Sequence, residues 1–144
     1  MRPSVRPSRL ARRSAVLAAV LAALVPVLPA AAQPREAGPS AGLGITVRDG
    51  IDGTVRHWTL RCGPTGPTGG NHPEQEAACG RLVELAGDFT PLRNGPVAGC
   101  PRTYDPRTLE ISGYWNGEFR EFEEGYPNPC HLERLTAPLV PAAG

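Results

Sequence analysis

The chain reads as an α+β domain, an antiparallel β-sheet of about five strands packed against one or two α-helices and held by two disulfides. Three observations predict it. Apolar residues alternate at Leu43, Ile45 and Val47 and again at Trp58, Leu60 and Cys62, the period of half-buried strands. Between residues 73 and 87 the apolar positions switch to helical spacing. An Asn116-Gly117 pair then separates two further alternating runs, the strongest short signal for a hairpin.

Taken in order, the first strand ends in the turn Asp49-Gly50-Ile51-Asp52-Gly53, whose residues favour tight backbone reversal. The second strand puts Trp58, Leu60 and Cys62 on one face. Residues 63–72 are rich in glycine and proline and read as a loop. Pro73 is a favourable first-turn residue and Gly87 a plausible C-terminal stop, so residues 73–87 read as a helix. Its stripe is Ala78, Leu82, Leu85 and Ala86, with Cys79 and Val83 beside it. After an irregular loop, residues 107–115 bring Leu109, Ile111 and Trp115 to one face, and residues 118–124 return antiparallel to them. A short final element follows. Pro138 and Pro141 interrupt regular pairing, so residues 136–144 are expected to fray.

Arg2, Arg6, Arg9, Arg12 and Arg13 form a positive leader, residues 15–28 are apolar but short for a membrane span, and Ala30-Ala31-Ala32 offers a cleavage site. Residues 1–32 are therefore expected to be a signal peptide of the ordinary secretory route, the protein secreted and free of a membrane anchor. Residues 33–42 are expected as a flexible tail, residues 43–136 as the domain, and residues 137–144 as a C-terminal tail. About 112 residues remain after the leader, enough for one compact domain.

Five of the fifteen basic residues lie in the leader while all fourteen acidic residues follow it, which leaves ten against fourteen. No basic cluster is present, so nucleic acid is excluded as a partner class. Cys62, Cys79, Cys100 and Cys130 stand singly without the paired spacing of a tetrahedral metal site; no metal and no cofactor is expected. In an exported chain four cysteines make two disulfides, with three pairings open. His57, His72 and His131 have no nucleophile motif beside them, so an enzyme is not expected; His57 and His72 read as surface residues. Glu118, Glu121, Glu123 and Glu124 read as a solvated strand face, and Trp58, Phe89 and Trp115 as core.

The run Cys100-Pro101-Arg102-Thr103-Tyr104-Asp105-Pro106 is the most informative stretch. Each proline fixes its own φ and drives the preceding residue toward extended backbone, so a long cationic side chain is displayed on a stiffened segment. Such a segment has the shape a protease accepts as substrate. Held firmly enough, it would bind with its immobilisation entropy removed in advance. An ordinary turn tethered by a cystine is the other reading, and the heptapeptide alone leaves both open.

Wider motifs carry a resemblance. Leu60-Arg61-Cys62-Gly63-Pro64, His72-Pro73 with Ala77-Ala78-Cys79, Gly87-Asp88, Cys100-Pro101-x-x-Tyr104-Asp105-Pro106, Gly113-x-Trp115-x-Gly117 and Asn128-x-Cys130 span residues 43–130. In these the chain resembles the subtilisin inhibitor-like family, small proteins secreted by Streptomyces and related actinomycetes. The resemblance implies pairings of Cys62 with Cys79 and Cys100 with Cys130. It further implies substrate-like inhibition of serine proteases at a reactive bond between Arg102 and Thr103. Cys100, Pro101, Tyr104, Asp105 and Pro106 would complete the reactive loop, and Asn128 would support it through its side-chain amide. Arg102 implies trypsin-like targets, with subtilisin-like proteases also accepted. Members pair as homodimers, which is the implied state. The chain departs from the pattern in an interval between Cys62 and Cys79 about two residues longer, absorbed at small cost by a loop near residues 66–71. Its C-terminal end is also unlike the family's. The alternative is a secreted binding or structural domain that kept the scaffold without inhibition.

Overall fold

The computed structural model describes residues 38–142. The expected leader, residues 1–32, lies outside them, as do residues 33–37 and 143–144 of the expected tails. The order is β1 (Ala41–Asp49), β2 (Val55–Gly63), β3 (Gly66–Gly70), α1 (Gln75–Leu85), a 3-10 turn (Thr90–Leu92), β4 (Arg107–Trp115), β5 (Glu118–Tyr126) and α2 (Pro129–Thr136). The strands form one antiparallel sheet in the order β3-β2-β1-β4-β5, and the fold is α+β as expected.

β1 is the central strand because both its neighbours read its apolar face in register. Ile45 lies opposite Trp58 on one side and Ile111 on the other, and Leu43 lies opposite Leu60. With period-2 alternation this collects Leu43, Ile45, Val47, Leu60, Leu109, Ile111, Trp115 and Phe122 on one face, all buried. The helices cover that face. α1 contributes Ala78, Leu82 and Leu85, and α2 contributes Leu132. Among the described residues no helix is long and apolar enough to cross a membrane.

Both disulfides have the expected partners, Cys62 with Cys79 and Cys100 with Cys130, each with Cα atoms 5.7 Å apart. The first fastens α1 to β2. By the chain-entropy account, closing loops of this length stabilises the fold by about 3–4 kcal/mol each.

At the end of α1, Ala86 takes the left-handed conformation (φ 50°) and Gly87 follows with φ 76°. Trp115 packs onto Gly87 so closely that a Cβ there would lie 2.3 Å from the indole. Glycine is therefore required on two grounds, conformation and space.

Four expectations are corrected. The glycine- and proline-rich residues 63–72 contain a strand: β3 pairs with β2 at the sheet edge across a bulge between Arg61 and Cys62. Proline and positive-φ glycines are tolerated there because an edge strand needs only one hydrogen-bonded side. β1 starts at Ala41, inside the expected N-terminal tail, with Ala41 paired to Cys62 and Trp115. Residues 136–140 do not fray, since Leu139 and Val140 are buried in the core and the Leu139 amide donates to the Thr136 carbonyl at 2.8 Å. His72 is buried at 2% exposure, not a surface residue. Its Nδ1 accepts from the Glu74 amide (3.1 Å), so Nε2 carries the proton and donates to the Leu139 carbonyl (3.0 Å), joining the start of α1 to the C-terminal segment. His57, by contrast, is exposed on β2 and bonded to Thr46.

Candidate functional site

The segment from Cys100 to Pro106 leaves the body between the 3-10 turn and β4, and Pro101, Arg102, Thr103 and Tyr104 are all exposed. Tyr104 is 76% exposed, an unusual position for a large aromatic side chain. Among the described residues no carboxylate lies within salt-bridge distance of Arg102, so its guanidinium is displayed without a partner. Behind the segment is a hollow of about 350 Å³, floored by Asn128 and His131.

Asn128 spans this hollow. The sequence sets it there twice over, as N-cap of α2 with Pro129 in the first turn, the pairing that best starts a helix. The residue is 3% exposed and its side-chain amide Nδ2 donates to the Pro101 carbonyl at 2.9 Å and to the Thr103 carbonyl at 3.0 Å. Its Oδ1 accepts from the His131 backbone amide at 3.2 Å. The amide thus holds one carbonyl on each side of the Arg102-Thr103 peptide bond. Every hydrogen-bonding site of that short side chain is directed either at the segment or at the helix.

Other ties converge on the same part of the body. Cys100 is bonded to Cys130 in the first turn of α2, two residues after Asn128. Downstream, the Asp105 amide donates to the Pro127 carbonyl at 2.9 Å. Arg107, whose side chain is only 13% exposed, donates to the Asp105 carboxylate (2.6 and 3.1 Å) and to the carbonyls of Asp105 (3.1 Å) and Pro106 (2.9 Å). The same guanidinium reaches Asp49 at 2.8 Å, at the end of β1. Such charge-assisted, two-pronged bonds are stronger and more directional than neutral ones. Pro106 is fixed in turn by the Gly50 amide, which donates to its carbonyl at 2.9 Å.

The residues singled out from the sequence, 100–106 and 128, therefore meet in one place, with Asn128 bridging the segment and Cys130 anchoring it. Arg107, the Pro127 carbonyl and His131 were not foreseen. A proline followed by arginine at a strand start has no distinguishing pattern. Asn128 was foreseen as loop support through the resemblance, whereas its second role as N-cap of α2, signalled by the Asn128-Pro129 pair, was not read from the sequence.

Chemically the site presents a cation on backbone held at both ends. Among the described residues there is no cluster of metal-ligating side chains.

Comparison with known proteins places this geometry in context. The family model described as subtilisin inhibitor-like matches residues 39–128. Subtilisin inhibitor-like protein 5 of Streptomyces fradiae is 36% identical over 85 residues, covering 59% of this chain and 78% of its own. A trypsin inhibitor of Streptomyces longisporus is 34% identical over 106 residues, 71% of this chain and 72% of its own. The crystal structure of sermetstatin from Streptomyces caespitosus in complex with subtilisin of Bacillus licheniformis is similar in fold, with a TM-score of 0.59 and 31% identity over 72% of this chain and 99% of the other.

Proposed function

We propose, from the premise that this chain belongs to the subtilisin inhibitor-like family, a family of protease inhibitors and not of enzymes, that it is a secreted inhibitor of serine proteases with Arg102-Thr103 as its reactive bond. Trypsin-like enzymes are its preferred targets and subtilisin-like enzymes are accepted. The names of the relatives support both classes. The observation that carries the reading is the Asn128 amide, donating to a carbonyl on each side of that one bond.

The mechanism follows from the ties. Arg102 enters the primary specificity pocket, where an acidic residue of a trypsin-like enzyme takes its guanidinium in a charge-assisted bond. The catalytic serine attacks the Arg102 carbonyl carbon and the bond to the Thr103 nitrogen breaks, giving an acyl-enzyme and a free amine at Thr103. In an ordinary substrate that amine diffuses away. Here the Thr103 carbonyl is held by Asn128 and the following residues by Pro127 and Arg107, so the amine remains beside the ester and re-forms the peptide faster than water hydrolyses it. The acyl side is held equally by the Pro101 carbonyl bond and the Cys100–Cys130 cystine. Binding is strong because little freedom is left to lose.

The leader supports export, and the resemblance supports pairing into a homodimer. Titration of trypsin and of subtilisin with the purified, oxidised protein tests the function. A stoichiometric loss of activity is expected. A scaffold-only binding domain would leave both enzymes fully active.

Asn128→Ala separates bracing from enzyme contact, since Asn128 is buried behind the loop. Initial association with trypsin should be nearly unchanged, while inhibition becomes temporary as the loop is cut and not resealed. Folding stability should fall by about 1–2 kcal/mol, the cost of the lost cap and loop bonds. Permanent inhibition by the variant over the same time course would reduce Asn128 to a helix cap.

A further inference from the structure

The Asn128 amide can brace the loop only in one of its two orientations. Flipped by half a turn, Oδ1 would face the carbonyls of Pro101 and Thr103, three acceptors together with no proton between them. Something must hold the amide the right way round against the pull of the enzyme. Beyond the helix N-cap bond, one further contact reaches the far side of that amide: the ring Nδ1 of His131 lies 2.9 Å from Asn128 Oδ1.

We propose that His131 is a positioning residue for the inhibitory loop, fixing the Asn128 amide by donating an Nδ1 proton to its oxygen. The chemistry assigns the proton. Nδ2 of Asn128 is committed to two carbonyls, so the atom facing His131 is an oxygen, which only accepts; Nδ1 must then be the donor. In the neutral ring this selects the Nδ1-protonated tautomer, as a fixed partner does for histidines generally. The resulting chain runs from the His131 ring through the Asn128 amide to the Pro101 and Thr103 carbonyls, each bond polarising the next. His131 touches no reacting atom. It acts on the Arg102-Thr103 bond through Asn128 alone, with its place fixed by the first turn of α2, where the neighbouring Cys130 is tied to Cys100.

The inference rests on the inhibitory reading above, and the test separates the two. Three proteins are compared: wild type, His131→Phe, which keeps a ring but has no donor, and His131→Asn, whose amide nitrogen can stand where Nδ1 stood. Thermal melting first confirms that all three are folded. Cleavage of each at Arg102-Thr103 is then followed by mass spectrometry during incubation with trypsin. His131→Phe should be cut about five- to tenfold faster, the effect of one hydrogen bond, while His131→Asn stays near wild type. Equal rates for His131→Phe and wild type would overturn the proposal, as would a His131→Asn rate as fast as that of His131→Phe. The side-chain amide resonances of Asn128 in the free protein give a protease-independent readout. They should be alike in wild type and His131→Asn and altered in His131→Phe; the same resonances in all three would overturn the proposal even if the wild type inhibited no protease, the outcome that would instead sink the inhibitory reading.

Discussion

Replacing Arg102 by Met is expected to weaken binding to trypsin by about 2–5 kcal/mol, roughly thirtyfold to a few thousandfold, while binding to subtilisin persists or improves. The asymmetry follows from what each enzyme loses. In a trypsin-like pocket the acidic residue is buried on binding, and without the guanidinium it remains desolvated and unpaired. A pocket that accepts apolar side chains suffers no such penalty and gains from a thioether of similar length. The substitution should not disturb the inhibitor itself, because Arg102 is exposed and bonded to no carboxylate among the described residues. Equal losses against both enzymes would remove Arg102 from the specificity role.

The second large effect concerns the cystine that anchors the loop. With Cys100 and Cys130 both changed to Ser, the acyl side of the loop loses its covalent anchor and keeps the Pro101 carbonyl bond to Asn128 and a local bond from the residue-100 amide to the Val97 carbonyl (3.3 Å). The fold loses about 3–4 kcal/mol of stabilisation by the chain-entropy account. The remaining cystine still fastens α1 to β2, so the domain should stay folded at moderate temperature. The loosened loop is expected to behave as a substrate: incubation with trypsin should yield two separate fragments by mass spectrometry instead of an intact complex. An intact and equally potent double variant would contradict the idea that covalent pinning matters.

The alternation at Leu43, Ile45 and Val47 and the Asn116-Gly117 turn located the first strand and the β4-β5 hairpin, because burial of one face and a demanding turn geometry both leave marks in residue type. β3 left no such mark. Its residues are Gly66, Pro67, Thr68, Gly69 and Gly70, and it is a strand only because β2 offers an open edge to pair with. Leu139 and Val140 were hidden in the same way: two apolar residues between prolines have no period, and only the tertiary fold shows where they are buried. His72 shows the reverse, a polar residue whose burial depends on one partner close by, the Glu74 amide, and one in a distant segment, the Leu139 carbonyl.

At the candidate site the same division holds. Residues 100–106 drew attention through proline and charge, which act locally. The resemblance brought in Asn128 and the cystine partner Cys130. Arg107 and His131 escaped because their significance is purely spatial. Arg107 joins Asp105 to Asp49 across 56 positions of sequence, and His131 matters only once the Asn128 amide is seen to face the loop.

The most direct test of the central claim is the fate of the Arg102-Thr103 bond itself. The oxidised protein is held with a catalytic amount of trypsin, and the products are examined by mass spectrometry and N-terminal sequencing, with and without reduction. A single slow cleavage is expected, adding the mass of one water and a new N-terminus at Thr103. The two pieces should stay joined through Cys100–Cys130 until reduced, and the cut form, isolated and returned to trypsin, should be resealed in part to the intact chain. Prompt cleavage at other arginines, or a cut form that is never resealed and leaves trypsin active, would contradict the account.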